Sequence, residues 1–204
     1  MHSDLSKTEI IDKYRHFNVE HDWWDYIYAD FVEYVEEKGI STTTGDMNFS
    51  GFWSQGDGAS YKGTIHSSDM KRFMDAHDLS EQYESAYFFA QLEQLYVGIN
   101  RTGTHYCHSH TMRVDLNDDV WDEYEHDSLR SEVYQVMQSD FNNNFESLEK
   151  RIEEICRGYA DELYKRLEDE YDYLTSDEVV MEALEVNGIF DQQNEGEEHG
   201  LCSD

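Results

Sequence analysis

Apolar residues fall into two kinds of rhythm along this chain. From Trp23 to Val35 they recur every three or four positions, with Trp23, Ile27, Phe31, Tyr34 and Val35 in phase. That spacing predicts a helix over about 22–38, closed by Gly39. A longer stripe of the same period runs from about residue 128. It comprises Leu129, Val133, Val136, Met137, Phe141, Phe145, Leu148, Ile152, Ile155, Cys156, Tyr159, Leu163 and Leu167. Asn142-Asn143-Asn144 and Gly158, poorer helix formers, are where it would break. Between these stretches the period drops to two. Met47, Phe49, Gly51 and Trp53 would share one face of a strand, as would Ala59, Tyr61, Gly63 and Ile65 of the next. Gly56-Asp57-Gly58 lies between the two runs and predicts a tight reversal, hence a hairpin over about 46–66. Leu95, Val97 and Ile99 alternate in turn, Thr102-Gly103 reverses the chain, and Tyr106, His108, His110, Met112, Val114 and Leu116 form one face of a returning strand, opposite Cys107, Ser109, Thr111, Arg113 and Asp115. This predicts a second hairpin over about 95–116.

Cap signals fill in the remaining helices. Ser6-Lys7-Thr8-Glu9 has the spacing of a capping box and opens a short helix to about Phe17. Ser67 or Ser68 would cap a helix over about 69–77, and another covers about 80–94. Thr175-Ser176-Asp177-Glu178 has the spacing of a second capping box, with Thr175 as its first residue, and opens a last helix over 177–186, ended by Asn187-Gly188. The chain therefore reads as α+β: an antiparallel sheet of four strands from two β-hairpins, helices on one face, and a long C-terminal helical region. Residues 1–127 form the α+β core, 128–190 the helical region, and 191–204 a polar, acidic tail expected to be disordered.

Composition changes this picture in one respect. At 204 residues with 38% hydrophobic content the chain is lean for a globular protein, but 14% of it is aromatic. Fifteen Tyr, ten Phe and four Trp can fill a core with few side chains. The net charge of -31 argues against affinity for nucleic-acid phosphates or anionic membranes. It is compatible with a solvated surface, a basic protein partner, or imitation of nucleic-acid charge. Cys107, Cys156 and Cys202 are odd in number and far apart, and no leader or membrane-spanning run is evident, so free thiols in a cytoplasm are expected.

The run Phe49-Ser50-Gly51-Phe52-Trp53-Ser54-Gln55-Gly56-Asp57-Gly58-Ala59-Ser60-Tyr61 resembles a family of uncharacterised bacteriophage proteins that carry an FSGFWSQGDGASF-like segment. Tyr14-Arg15, Asp22-Trp23-Trp24-Asp25, the strand around Tyr106 and His108, and Tyr171 to Ala183 look like further positions of that family. The chain departs from it in having Tyr61 where Phe is commoner, and in a longer acidic stretch after Gly188. The resemblance implies a fold and a phage source, with a regulatory or antitoxin-like role; it implies no reaction.

Candidate chemistry gathers at three places. His105-Tyr106-Cys107-His108-Ser109-His110 holds two imidazoles at i, i+2, which on a strand point the same way. With Asp57 or His66 from the other hairpin, His108 and His110 would complete a three-ligand metal site. The alternative is that these histidines hydrogen-bond within an aromatic sheet face, and that Asp57 binds the backbone of its own turn. Trp53, with Phe52, Trp23 and Trp24, is either covered by the helix over 22–38 or exposed as a protein-binding hot spot. Asp161, Glu162, Glu168, Asp169, Glu170 and Asp172 recur along the C-terminal helix and would present carboxylates to a basic surface. No GxSxG elbow, HExxH or CxxC occurs, and no cofactor is implied. The expected function is that of an acidic, phage-type interaction protein that inhibits or regulates a basic host or toxin protein in the cytoplasm of an infected bacterium, with a nucleic-acid-mimic or antitoxin-like role included. The rival is a small metal-dependent enzyme centred on His108 and His110.

Overall fold

The structure, a computed structural model, describes residues 6–103, 106–118 and 128–189, with the backbone alone over 128–131. The expected tail over 191–204, Cys202, His105 and the side chain of Leu129 lie outside the described residues. The fold is α+β, with antiparallel strands beside helices and a long C-terminal helix. In chain order the helices are α1 (Lys7–Lys13), α2 (Asp25–Glu36), α3 (Ser67–Ala76), α4 (Glu84–Gln91), α5 (Ser128–Leu174) and α6 (Asp177–Val186). The strands are β1 (Met47–Ser50), β2 (Gly58–Tyr61), β3 (Gly63–Ile65), β4 (Leu95–Arg101) and β5 (Met112–Asp118).

The expected single four-stranded sheet is instead two sheets. β1 pairs only with β2, Met47 opposite Tyr61 and Ser50 opposite Gly58. The chain then turns at Lys62, and β3 joins the second hairpin in the order β3-β4-β5. Local hydrogen bonds cause the switch. Lys62 N–H donates to the Asp46 carbonyl, and its own carbonyl accepts from Thr42 Oγ1 at 2.6 Å. Thr64 then exchanges both backbone bonds with Ser41, at 2.8 Å each. The expected first strand also ends early: residues 51–57 form a loop, so Trp53 is not on a strand.

The second hairpin keeps its register but loses its beginning. Leu95, Val97 and Ile99 of β4 and Met112, Val114 and Leu116 of β5 line the buried face, as the alternation predicts. Residues 108–111, however, make a one-turn reversal. Thr111 donates both its N–H (2.9 Å) and its hydroxyl (2.7 Å) to the His108 carbonyl. A hydroxyl that satisfies local backbone in this way competes with a sheet ladder. His108 and His110 therefore do not share a strand face.

Contacts divide the chain into two units, residues 26–165 and residues 6–25 with 166–189. In the larger unit α2 ends in a Schellman closure: Ile40 N–H reaches the Val35 carbonyl and Gly39 N–H the Glu36 carbonyl, at 3.0 Å each. That closure needs Gly39 at φ +90°. Phe31, Phe73, Phe89, Phe141, Leu148, Ile152 and Leu163 are wholly buried there. Edge-to-face ring pairs bind α5 to its neighbours: Phe141 against Phe89 of α4 at 5.4 Å, and Tyr159 against Tyr34 of α2 at 5.7 Å. No break occurs at Asn142-Asn143-Asn144 or at Gly158, because continuous burial from Phe141 to Leu163 outweighs their poor propensity. Val133 and Val136, assigned to the same stripe, are instead exposed.

In the smaller unit Ile10 and Ile11 of α1 pack on Val180 and Leu184 of α6, with Tyr14 and Met181 beside them. The Ser6–Glu9 capping box forms as expected. α1 ends at Lys13, earlier than predicted, and α6 is capped by Ser176 and not Thr175. α3 starts after His66, which leaves Ser67 and Ser68 inside its first turn.

Candidate functional site

The loop over 51–57 is held by one carboxylate. Asp57 Oδ2 accepts the N–H of Ser54 at 2.6 Å and of Trp53 at 3.0 Å, while Asp57 N–H donates to the Ser54 carbonyl. Charge-assisted bonds of this kind are stronger than neutral ones. Gly56 sits at φ +100°, with the Tyr106 ring 3.2 Å from where a Cβ would lie. Gly58 does not need a positive φ. It is required for space, since a Cβ there would stand 2.4 Å from His108 Cβ. The loop and the segment around Tyr106–His108 are thus packed together.

Aromatic stacking fixes the rest of the loop. Phe52 lies between Phe49 of β1 (5.8 Å, interplanar 29°) and Tyr164 of α5 (5.6 Å, 30°). Trp53 meets Phe52 edge-on at 5.9 Å and remains 74% exposed. Of the two readings open for Trp53, the structure gives the exposed one: α2 does not cover it. Tyr106, assigned by alternation to a sheet face, is 53% exposed and flanks the same loop. The sequence carried a weak signal for this, in the hydroxyl-rich Ser109 to Thr111 stretch that ends strand geometry before Tyr106.

The histidine cluster assembles only in part. The His108 and His110 rings are 5.7 Å apart, and Tyr106 meets His108 at 6.2 Å. Asp57, the suggested third ligand, has its carboxylate turned into its own loop. His66 marks the start of α3, where its carbonyl accepts the N–H groups of Asp69 and Met70. Among the described residues no group of three or more His, Cys, Asp or Glu is placed to hold a metal ion.

The acidic residues of α5 differ in exposure. Asp161, in the larger unit, is exposed and lies three residues before Tyr164, whose ring carries Phe52; Glu162 is half-buried. In the smaller unit Asp169 and Asp172 are exposed, whereas Glu168 and Glu170 are half-buried. Tyr171 packs on Trp23 at 5.8 Å, and its phenol is held above the usual range by burial and by Asp172.

Sequence reasoning missed one polar pair in the larger core. His77 Nδ1 donates to the Phe73 carbonyl at 2.7 Å, which leaves Nε2 to accept from Tyr159 Oη at 2.7 Å. The carbonyl can only accept, so it fixes the neutral tautomer. Burial lowers the His77 pKa and raises that of Tyr159.

No curated protein and no solved structure matches this chain. A family match covers residues 23–177, the loop over 51–57, the 106–111 segment and all of α5 included. The chain belongs to the family described as a domain of unknown function, DUF8835.

Proposed function

We propose that this chain is an interaction protein that binds a basic surface of another protein and so inhibits or regulates it. The observation that carries this reading is the charge: 46 Asp and Glu against 15 Lys and Arg, with Asp161, Asp169 and Asp172 exposed on α5. A surface of this sign steers positively charged partners and repels nucleic acid and anionic lipid. Among the described residues no helix is long and apolar enough to cross a membrane. The resemblance to phage proteins makes a host or toxin protein in the bacterial cytoplasm the proposed target, with nucleic-acid mimicry or antitoxin-like neutralisation as the mode. The test is capture of a basic protein from bacterial lysate, compared between the natural chain and one with Asp161, Asp169 and Asp172 changed to Lys. Capture should fail in the variant and weaken for the natural chain as salt shortens the Debye length below about 8 Å. Equal capture by both, independent of salt, would refute the reading.

A further inference from the structure

We infer, on the reading that this chain engages a basic protein, that Trp53 and Tyr106 form a stacking platform for an arginine of that partner. Four observations converge on the loop over 51–57. Its backbone is closed by Asp57, and its Phe52 is wedged between Phe49 and Tyr164, so the platform is pre-organised before any partner arrives. Pre-organised aromatic surface loses little side-chain freedom on binding. Trp53 has the most exposed of the Trp, Tyr and Phe rings among the described residues, and Tyr106, whose ring lies 3.2 Å from where a Gly56 Cβ would stand, is half exposed. Asp161 emerges from α5 one turn before Tyr164, which places an exposed carboxylate on the helix that seats the platform.

The chemistry of such a surface selects one group. A guanidinium is planar and weakly hydrated, so it stacks on an indole face and still offers N–H donors to a carboxylate. An ammonium carries the same charge but is compact and strongly hydrated. A second copy of this chain does not suit the surface, since each copy carries a net charge of -31. The occupant is therefore an arginine-bearing segment of a basic protein.

The experiment uses the full chain and two probes of equal charge, an octa-arginine and an octa-lysine peptide, with affinities measured at low salt and at 150 mM salt. The arginine peptide should bind about five-fold more tightly than the lysine peptide, the size of one exposed cation–π contact. Trp53→Ala should erase that preference without lowering the melting temperature, Trp53→Phe should keep part of it, and Tyr106→Ala should reduce it. Equal affinity for both peptides with a clear salt dependence overturns the platform but leaves charge-driven binding intact. A preference that survives Trp53→Ala overturns it as well. If neither peptide binds at low salt, both readings fall.

Discussion

Gly56 in the loop and Gly58 at the start of β2 stand two residues apart and are required for different reasons. Gly56 carries the positive φ; Gly58 makes room for His108. Gly58→Ala should therefore destabilise the protein by about 1–3 kcal/mol through overpacking, while Gly45→Ala, whose nearest contact would be 3.8 Å away, should melt like the natural chain. Equal melting temperatures for the two variants would show that the 106–108 segment yields freely. Asp57 belongs to the same argument. Asp57→Ala removes the acceptor for two backbone donors, and hydrogen exchange at Trp53 and Ser54 should accelerate, with Asp57→Asn intermediate. His77 supplies the pH dependence. Burial holds its pKa below the ordinary value against the opposing hydrogen bond to the Phe73 carbonyl; Lys38 and Arg151 push it further down, and Asp78 pushes it up. The unfolded chain thus binds more protons around pH 6, and stability falls as pH drops through 6.5 toward the folded value. His77→Gln should flatten that part of a stability–pH curve relative to the natural chain; identical slopes would mean that the ring charges without cost. None of these contacts was legible in the sequence, apart from the local bonding of Asp57. Each joins residues that only the fold brings together.

Elements were far more legible than their ends. The periodic stretches became α2, α5, β4 and β5, because a repeated apolar face must be buried wherever it leads. The boundaries moved where side chains compete for backbone: Thr111 delayed the start of β5, and Thr42 with Asp46 turned the chain out of the first hairpin. Sheet membership followed from those same bonds, so alternation alone could not show that β3 would leave β2. The end of α5 shows an element closed by remote side chains. Arg15 donates to the Thr175 carbonyl at 3.0 Å and pairs with Asp177 and Asp12, and Asn18 donates to the Leu174 carbonyl at 3.1 Å. Arg15→Ala should loosen α6 by about 1 kcal/mol, most of it from the backbone acceptor and little from the exposed ion pairs. Hydrogen exchange in α6 should report the loss, and unchanged protection there would place the closure in the α1–α6 packing alone.

At the scale of the whole molecule the charge dominates. A chain of net charge -31 repels itself in its compact state. Raising salt from about 10 to 300 mM, which shortens the Debye length from about 30 to 6 Å, should raise the melting temperature. For a chain of this size, about 1 kcal/mol of relieved repulsion corresponds to roughly 2–4 °C. A flat response would mean that the carboxylates are already neutralised by their arrangement. Charge could be read directly from the sequence, and so could the acidic character of α5. Which aromatics face water could not, because Trp53 and the buried Tyr61 occupy similar patterns in two runs that both read as strands, and only the folded loop over 51–57 separates their fates. Tyr61 leads to Cys156, whose carbonyl accepts its hydroxyl at 3.3 Å. The Cys156 thiol is wholly enclosed, and burial pushes its pKa up to about 12. It is consequently a built-in clock. A thiol reagent can reach Cys156 only as often as the larger core opens, whereas half-buried Cys107 marks the motions of the native surface. The ratio of the two labelling rates reads out, in one tube and without denaturant, how rarely this protein comes apart.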